Sequence, residues 1–384
     1  MPFAAALSEH PEPAAAVGEA IGEVVERLGE GVRPDLAAVF VTAAHHDAFA
    51  DVAAAVRDLL APATLIGATA VAVVGGHREV EQRPGVSLWA AAGIGEVTPV
   101  RLDALPTSAG VVLGGLPPGT AEGGRALLLL PDPFTFPADG FVDHVSERYP
   151  GLTVIGGLAS AASGPGGNLL ALDDRVHADG AVAALLGPGA VVTTVVSQGC
   201  RPIGHPFTVT RAEGNLLHEL GGRPAFERLR ELAESLGPEE RQLFAGGVHV
   251  GRVIDEHKVE FERGDLLVRA VLRADPGTGS LAVGDEVAVG QTIQFQVRDA
   301  ASADEDLRLL LATEQDADAA LLFTCNGRGE HFFGDPDHDA TLVSELIGSP
   351  AVAGMFCAGE VGPVGGQTFL HGYTASVALF RDRP

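Results

Sequence analysis

The chain has 384 residues, with 25 basic side chains against 51 acidic ones and a net charge of −26 at pH 7; its only lysine is Lys258. So acidic a surface repels phosphate backbones and anionic lipid heads, which argues against nucleic-acid and membrane partners. No apolar run reaches the ~20 residues that span a bilayer, and residues 1–13 lack the basic and apolar regions of a secretory signal, so a cytoplasmic location is expected. The three cysteines, Cys200, Cys325 and Cys357, have no CxxC spacing and make no disulfide framework.

Val17, Ile21, Val24, Val25 and Leu28 fall at helical spacing within an N-terminal extension, residues 1–33, and Gly29 and Gly31 supply its stop. Ala37–Val41 is an apolar run read as a buried strand, followed by His45-His46-Asp47, where Asp47 is a candidate helix N-cap. A helix over Ala48–Leu60, ended by Pro62, leads to apolar runs at Thr64–Thr69 and Gly85–Trp89, with a polar loop from Gly75 to Gly85 between them. The same order recurs in Ala126–Leu130, a helix over Gly140–Tyr149, Thr153–Leu158 and Gly180–Leu185, with Gly164–Asn168 read as a hairpin loop. Residues 99–124 read as one short strand among connectors.

Beyond a strand over Ala190–Ser197 come short runs at Phe207–Thr210 and Leu216–Leu220 and a helix over Arg223–Leu236. The runs Val248–Val253, Leu266–Leu272, Glu286–Val289 and Thr292–Val297 predict an antiparallel β region. Ser302, with Glu305 three residues on, reads as a capping box opening a helix over Ala303–Asp316. The first pattern then returns in Ala320–Thr324, Ala351–Phe356 and Ala375–Phe380. Ala38 to Gly67 and Leu127 to Gly156 both span 29 residues, and Leu321 to Gly354 spans 33. The prediction is an α/β fold of mixed α+β character, with two domains whose mixed sheets are built from repeated strand–helix–strand–strand modules. The boundary is placed at 222/223, giving domains 34–222 and 223–384.

Polar and special residues gather where the last apolar runs break: Cys325-Asn326-Gly327-Arg328 after one, and Cys357-Ala358-Gly359-Glu360 after the next. His371 precedes the final run. Strand ends along one sheet edge are where open α/β sheets bind ligands. Arg328 offers a bidentate donor to a carboxylate, Glu360 an acceptor for an ammonium group, and Gly359 a close backbone approach. Against that stand an Arg328–Glu360 salt bridge with no ligand, and a Cys325 that merely packs. Cys325, Cys357, His331, His338 and His371 match no usual zinc spacing, and no nucleotide-binding glycine motif, nucleophile elbow or HExxH is present.

The chain resembles the FIST family of bacterial sensory proteins over roughly Pro34–Phe380. The resemblance rests on Ala38–Thr42, Ile66–Thr69 and Asn215–Phe226, and most firmly on Cys325–Arg328, Ala358–Pro363 and His371–Thr374. It implies N- and C-terminal FIST domains forming a signal-input module for a small ligand, often fused to a signalling output; nothing in this chain looks like a kinase, cyclase or DNA-binding output, so action through a separate signalling protein is expected. Gly67–Val71 departs from the more polar segment of many relatives, which weakens any site in the N-terminal domain. The expectation is a ligand-binding sensor without intrinsic catalysis, its ligand amino-acid-like. The residues assigned to ligand binding are Cys325, Asn326, Gly327, Arg328, Cys357, Gly359, Glu360 and His371. The cofactor is left unassigned. One alternative is a haem-binding sensor, since some FIST proteins are described as binding haem. Others are an enzyme with Cys325 or Cys357 as nucleophile and His371 as base, and a structural scaffold.

Overall fold

The computed structural model describes residues 2–107, 110–120, 124–258, 260–261 and 263–382. Parts of the connectors expected over 99–124, namely 108–109 and 121–123, lie outside the described residues. The chain forms two compact units, one of Met1–Val196, Leu307–Leu370 and Thr374–Pro384, the other of Ser197–Asp306 and His371–Tyr373.

The first unit contains three modules of one topology: an opening strand, a helix, a parallel strand, a β-hairpin and a closing strand antiparallel to the opening one. The first runs Leu36–Thr42, Phe49–Leu59, Thr64–Ala70, the hairpin Ala72–Gly75 with Arg78–Glu81, and Val86–Ala91. The second runs Ala126–Pro131, Ala138–Arg148, Thr153–Gly157, the hairpin Leu170–Leu172 with Arg175–His177, and Ala181–Leu186. The third runs Ala319–Cys325, His338–Ile347, Val352–Cys357, the hairpin Glu360–Val364 with Gln367–His371, and Thr374–Arg381.

The repeated glycines have one physical cause. Gly67, Gly156 and Gly354 pair in parallel with Val39, Leu129 and Leu322. A Cβ there would stand 2.5, 1.9 and 1.9 Å from the partner's carbonyl oxygen, so only glycine lets the two strands approach.

Each hairpin leaves its own module and extends another module's sheet. The first module's hairpin pairs with Val352–Cys357, the second's with Thr64–Ala70, and the third's with Thr153–Gly157. The exchange is cyclic. At its hub, Ser160 donates from its amide to Thr69 O (3.2 Å) and from Oγ to Phe356 O (2.6 Å), and accepts from Val71 N–H (3.1 Å). Trp89, Phe40, Phe323 and Phe380 fill the cluster between the sheets, with the Trp89 and Phe380 rings 4.7 Å apart.

Several local expectations change. Residues 75–85 hold a hairpin rather than a polar loop. Gly164–Asn168 is no hairpin loop, because the strands it joins lie in different sheets. Phe3–Ser8 is an unforeseen strand antiparallel to Val86–Ala91. Asp47 does not cap the helix at Phe49: it lies in a 3-10 turn, Ala43–Ala48, and the cap position is Ala48.

The second unit is a closed antiparallel barrel. Thr292–Arg298 pairs with Phe207–Glu213, then Leu216–Leu220, Ser280–Val283, Leu266–Asp275 and Val248–Val253 follow, the last pairing back to Thr292–Arg298. Val209, Leu217, Val250, Ile293, Phe295 and Val297 form its core with Leu229 and Leu232 of the helix Ala225–Ser235. The strand expected at Glu286–Val289 is a connector, and the barrel strand is Ser280–Val283, which pairs with the preceding Leu266–Asp275 and with the distant Leu216–Leu220. Ser302 lies inside the helix Ala300–Leu311, and Asp299 caps it instead, accepting from the Ser302 hydroxyl at 2.9 Å and from its amide. Among the described residues no helix is long and apolar enough to cross a membrane.

Candidate functional site

The opening strand Ala319–Cys325 ends in a tight turn. The Arg328 amide donates to Cys325 O at 2.8 Å and the Asn326 amide to Cys357 O at 2.9 Å, so the turn is tied to the end of the neighbouring strand. Asn326 sits exposed at its tip, Cys325 and Gly327 are half-buried, and the Arg328 side chain turns back into the interior, 1% exposed. Burying a guanidinium is costly unless it is paired.

Its partner is Asp339, in the first turn of the third module's helix. Arg328 Nε donates to Oδ2 at 2.6 Å and Nη2 to Oδ1 at 2.8 Å. The Thr324 hydroxyl also donates to Oδ2, at 2.7 Å, and His338 Nδ1 lies 3.0 Å from Oδ1. Burial alone raises the Asp339 pKa, but the Arg328 charge and these donors hold it well below the usual carboxylate range. The Phe333 ring packs over the ensemble, stacked on His338 at 3.5 Å and 5.0 Å from the Arg328 guanidinium carbon.

The exchanged hairpin adds two glutamates. Glu79 Oε1 accepts the Ala340 amide at 2.9 Å and Glu81 Oε1 the Glu330 amide at 2.9 Å, while the Asp337 carboxylate accepts the Glu79 amide at 2.6 Å. Glu79 Oε2 is buried with no hydrogen-bond partner. Burial and then the Asp339 charge push Glu79 up to about 8. Asp339 accepts from three side chains and Glu79 from one backbone amide, so the proton of this carboxyl pair resides on Glu79.

Glu360, fully buried, begins the third module's hairpin. Its Oε2 accepts the Thr374 amide at 3.2 Å and hydroxyl at 2.8 Å. Burial pushes it up to about 8, and the Thr374 donors, the Arg328 charge and the weak Cys325 thiol donor offset only part of that. Glu360 does not take up the salt bridge with Arg328 considered from sequence; Asp339 holds that place. Two polar atoms here remain buried without a partner, Arg328 Nη1 and Glu360 Oε1.

Of the eight residues singled out from sequence, the fold thus gathers Cys325, Arg328 and Glu360. Cys357 pairs in register with Cys325 but lies in the core, its Sγ against Gly157 and donating to Met355 O at 3.4 Å; burial pushes its thiol up. Gly359 is buried beside the Leu158 amide, which donates to its carbonyl at 2.9 Å. His371 falls in the barrel unit. Thr324, Thr374, Asp339 and Glu79 escaped the sequence reading. An acid at a helix start is a recognisable signal for Asp339, whereas nothing local marks Glu79. Two open hollows among the described residues lie elsewhere: about 420 Å3 beside Asp143–Leu152 and Gly366–Thr368, and about 420 Å3 along Ala5–Glu9 and Gly75–Arg78.

Residues 35–223 match the FIST N domain and residues 225–363 the FIST C domain. The chain belongs to the FIST family. FIST domains are associated with sensory signalling and small-ligand binding. The chain is also similar to an uncharacterized protein of Mycobacterium bovis and to one of Mycobacterium tuberculosis, each 45% identical over 378 residues, covering 97% of this chain and 97% of the relative. A further M. tuberculosis protein, likewise uncharacterized, is 44% identical over 384 residues, covering 98% of both chains. The matches run over nearly the whole length of each relative, and the relatives' names assign no ligand.

Proposed function

We propose that this FIST protein is a non-catalytic, cytoplasmic sensor that binds a small amino-acid-like ligand at the Arg328–Glu360 end of the third module and acts through a separate signalling protein. One observation carries the reading: an arginine and a glutamic acid, both fully buried, each keep one polar atom without a partner. Buried orphans of opposite character are expensive in an empty protein and are relieved together by a ligand bearing a carboxylate and an ammonium group. The carboxylate takes Arg328 Nη1. The ammonium takes Glu360 Oε1. Access runs past the Cys325–Arg328 turn, whose half-buried Cys325 and exposed Asn326 form the boundary with solvent.

The non-catalytic reading is supported by the thiols. Cys357 is buried with its pKa raised, the opposite of an activated nucleophile. The net charge of −26 supports a role apart from nucleic acid and anionic membrane surfaces.

Native mass spectrometry with a visible absorption spectrum, on protein purified without added ligand, comes first, and a Soret band would favour haem instead. Titration calorimetry with free amino acids then tests the site. Saturable binding in the wild type, weakened in Glu360→Gln, is the expected result. Equal affinity in the two proteins overturns the assignment.

A further inference from the structure

The outer face of the barrel wall carries a second set of buried polar atoms without hydrogen-bond partners. His249 on Val248–Val253 stands directly across from Gln296 on Thr292–Arg298, so the two side chains share one face of the sheet. Val250, Phe295 and Val297, on the alternate positions, point into the barrel core. His249 is 5% exposed and Gln296 1%, yet neither His249 Nδ1 nor Gln296 Nε2 has a hydrogen-bond partner. Two residues beyond Gln296, on the same face, comes Arg298, half-buried. The Gln296 amide lies directly over Gly251: a Cβ at that position would stand 2.7 Å from Gln296 Nε2 and 3.1 Å from Leu266 Cβ, so glycine is what lets the amide sit there.

Tyr373 closes this patch. Its ring packs against the His249 imidazole at 4.3 Å between centroids, and the Arg298 guanidinium carbon lies 5.5 Å from its centre. Tyr373 holds this position with φ of +67°, and its carbonyl accepts the Gly199 amide at 2.8 Å. A tyrosine in the left-handed region is strained, and such strain collects at functional positions. The ring itself is only half-buried.

We propose that His249, Gln296 and Arg298 form a binding site for a small monoanionic carboxylate on the barrel wall, covered by Tyr373. The donors define the ligand class. A primary amide and an Nδ1–H imidazole tautomer offer N–H groups from neighbouring strands, matching the two acceptor oxygens of a carboxylate. Arg298 supplies the positive potential; burial, and after it the Arg298 charge, pushes the His249 pKa down to about 4, so the ring is neutral near pH 7. With a neutral imidazole the set carries a single formal positive charge, which suits a monoanion better than a phosphate dianion. The site is distinct from the Arg328–Glu360 site and uses none of its residues.

The test is an NMR titration of the full chain with sodium acetate at constant ionic strength near pH 7, following the His249 ring resonances, with sodium chloride and phosphate as controls. The expected result is a saturable His249 shift with acetate and none with chloride. Gln296→Leu removes the amide at similar volume and should weaken the acetate response about tenfold or more, with an unchanged circular dichroism spectrum. Gly251→Ala, whose Cβ would push the Gln296 amide out of its place, should do the same. Absence of a saturable shift in the wild type overturns the proposal, as does an undiminished response in Gln296→Leu.

Discussion

Arg328 grips both oxygens of Asp339, at 2.6 and 2.8 Å, and still keeps Nη1 without a partner. The pair fixes a strand-end turn to the start of a helix across 11 residues of chain. Nε and Nη2 of the fork tie the turn to the helix.

Asp339→Asn should therefore be severely destabilising, because it leaves a buried guanidinium uncompensated. The expected cost is about 3–5 kcal/mol by urea denaturation. An Arg328→Met, Asp339→Leu double variant should lose less than either single change to alanine, since it removes both charges together. A double variant as unstable as the sum of the singles would contradict a coupled buried pair.

Glu79 predicts a pH dependence with a definite sign. Its pKa rises from 4.5 to about 8 in the folded protein. Between these values the folded state binds more protons than the unfolded one, so this group's contribution to stability falls as pH rises. Glu79→Gln keeps an acceptor for the Ala340 amide without the titration. Its stability relative to wild type should be near level below pH 4.5 and gain on the order of a few kcal/mol by pH 8. Thermal denaturation of both proteins across pH 4–9 checks this.

Glu360 gives ligand binding a proton signature. With its pKa at about 8 it is mostly protonated near pH 7, and an ammonium group arriving at Oε1 favours the carboxylate. Binding of an amino-acid-like ligand should release up to about one proton. Calorimetry in buffers of differing ionisation enthalpy measures that number, and it should vanish in Glu360→Gln.

The three thiols should label in a fixed order. Cys325 is half-buried, while Cys200 and Cys357 are buried and Cys357 also has a raised pKa. Brief iodoacetamide treatment of native protein, read by peptide mass spectrometry, should modify Cys325 first, with the other two protected until denaturant is added.

Gly156→Ala and Gly354→Ala should each disrupt a parallel strand pair, since the new Cβ would stand 1.9 Å from a carbonyl oxygen of the paired strand. Losses above about 2 kcal/mol are expected, because backbone has to move on both sides. Gly18→Ala in the first helix meets no atom within 4 Å and should be neutral or slightly stabilising.

The modular plan was legible because apolar runs with period-breaking glycines reflect local backbone demands. Gly67, Gly156 and Gly354 mark equivalent positions, and the helices between the runs show their buried stripes directly, as with Phe49, Val52 and Val56. Cys325, Arg328 and Glu360 stood out because polar residues at the ends of buried strands have few structural reasons to be there. The polar stretch around Glu79 read as a loop because its partners are not local: it meets Ala340 across 261 residues. Ser302 misled for the opposite reason, since Asp299 three residues earlier makes an equally good cap and the helix takes the longer option.

What the sequence determined by itself was the opening, parallel and closing strands of the modules with the helices between them, their repeated order and the strand ends where reactive groups collect, all consequences of burial and local dihedral preference. What only the tertiary structure decided was pairing. The cyclic exchange of hairpins sends Glu79 to the third module, and the helix start brings Asp339 under Arg328, leaving Glu360 to Thr374. A buried charge takes whichever partner the folded chain brings within hydrogen-bond reach, and that distance is set by sheet topology rather than by spacing along the chain.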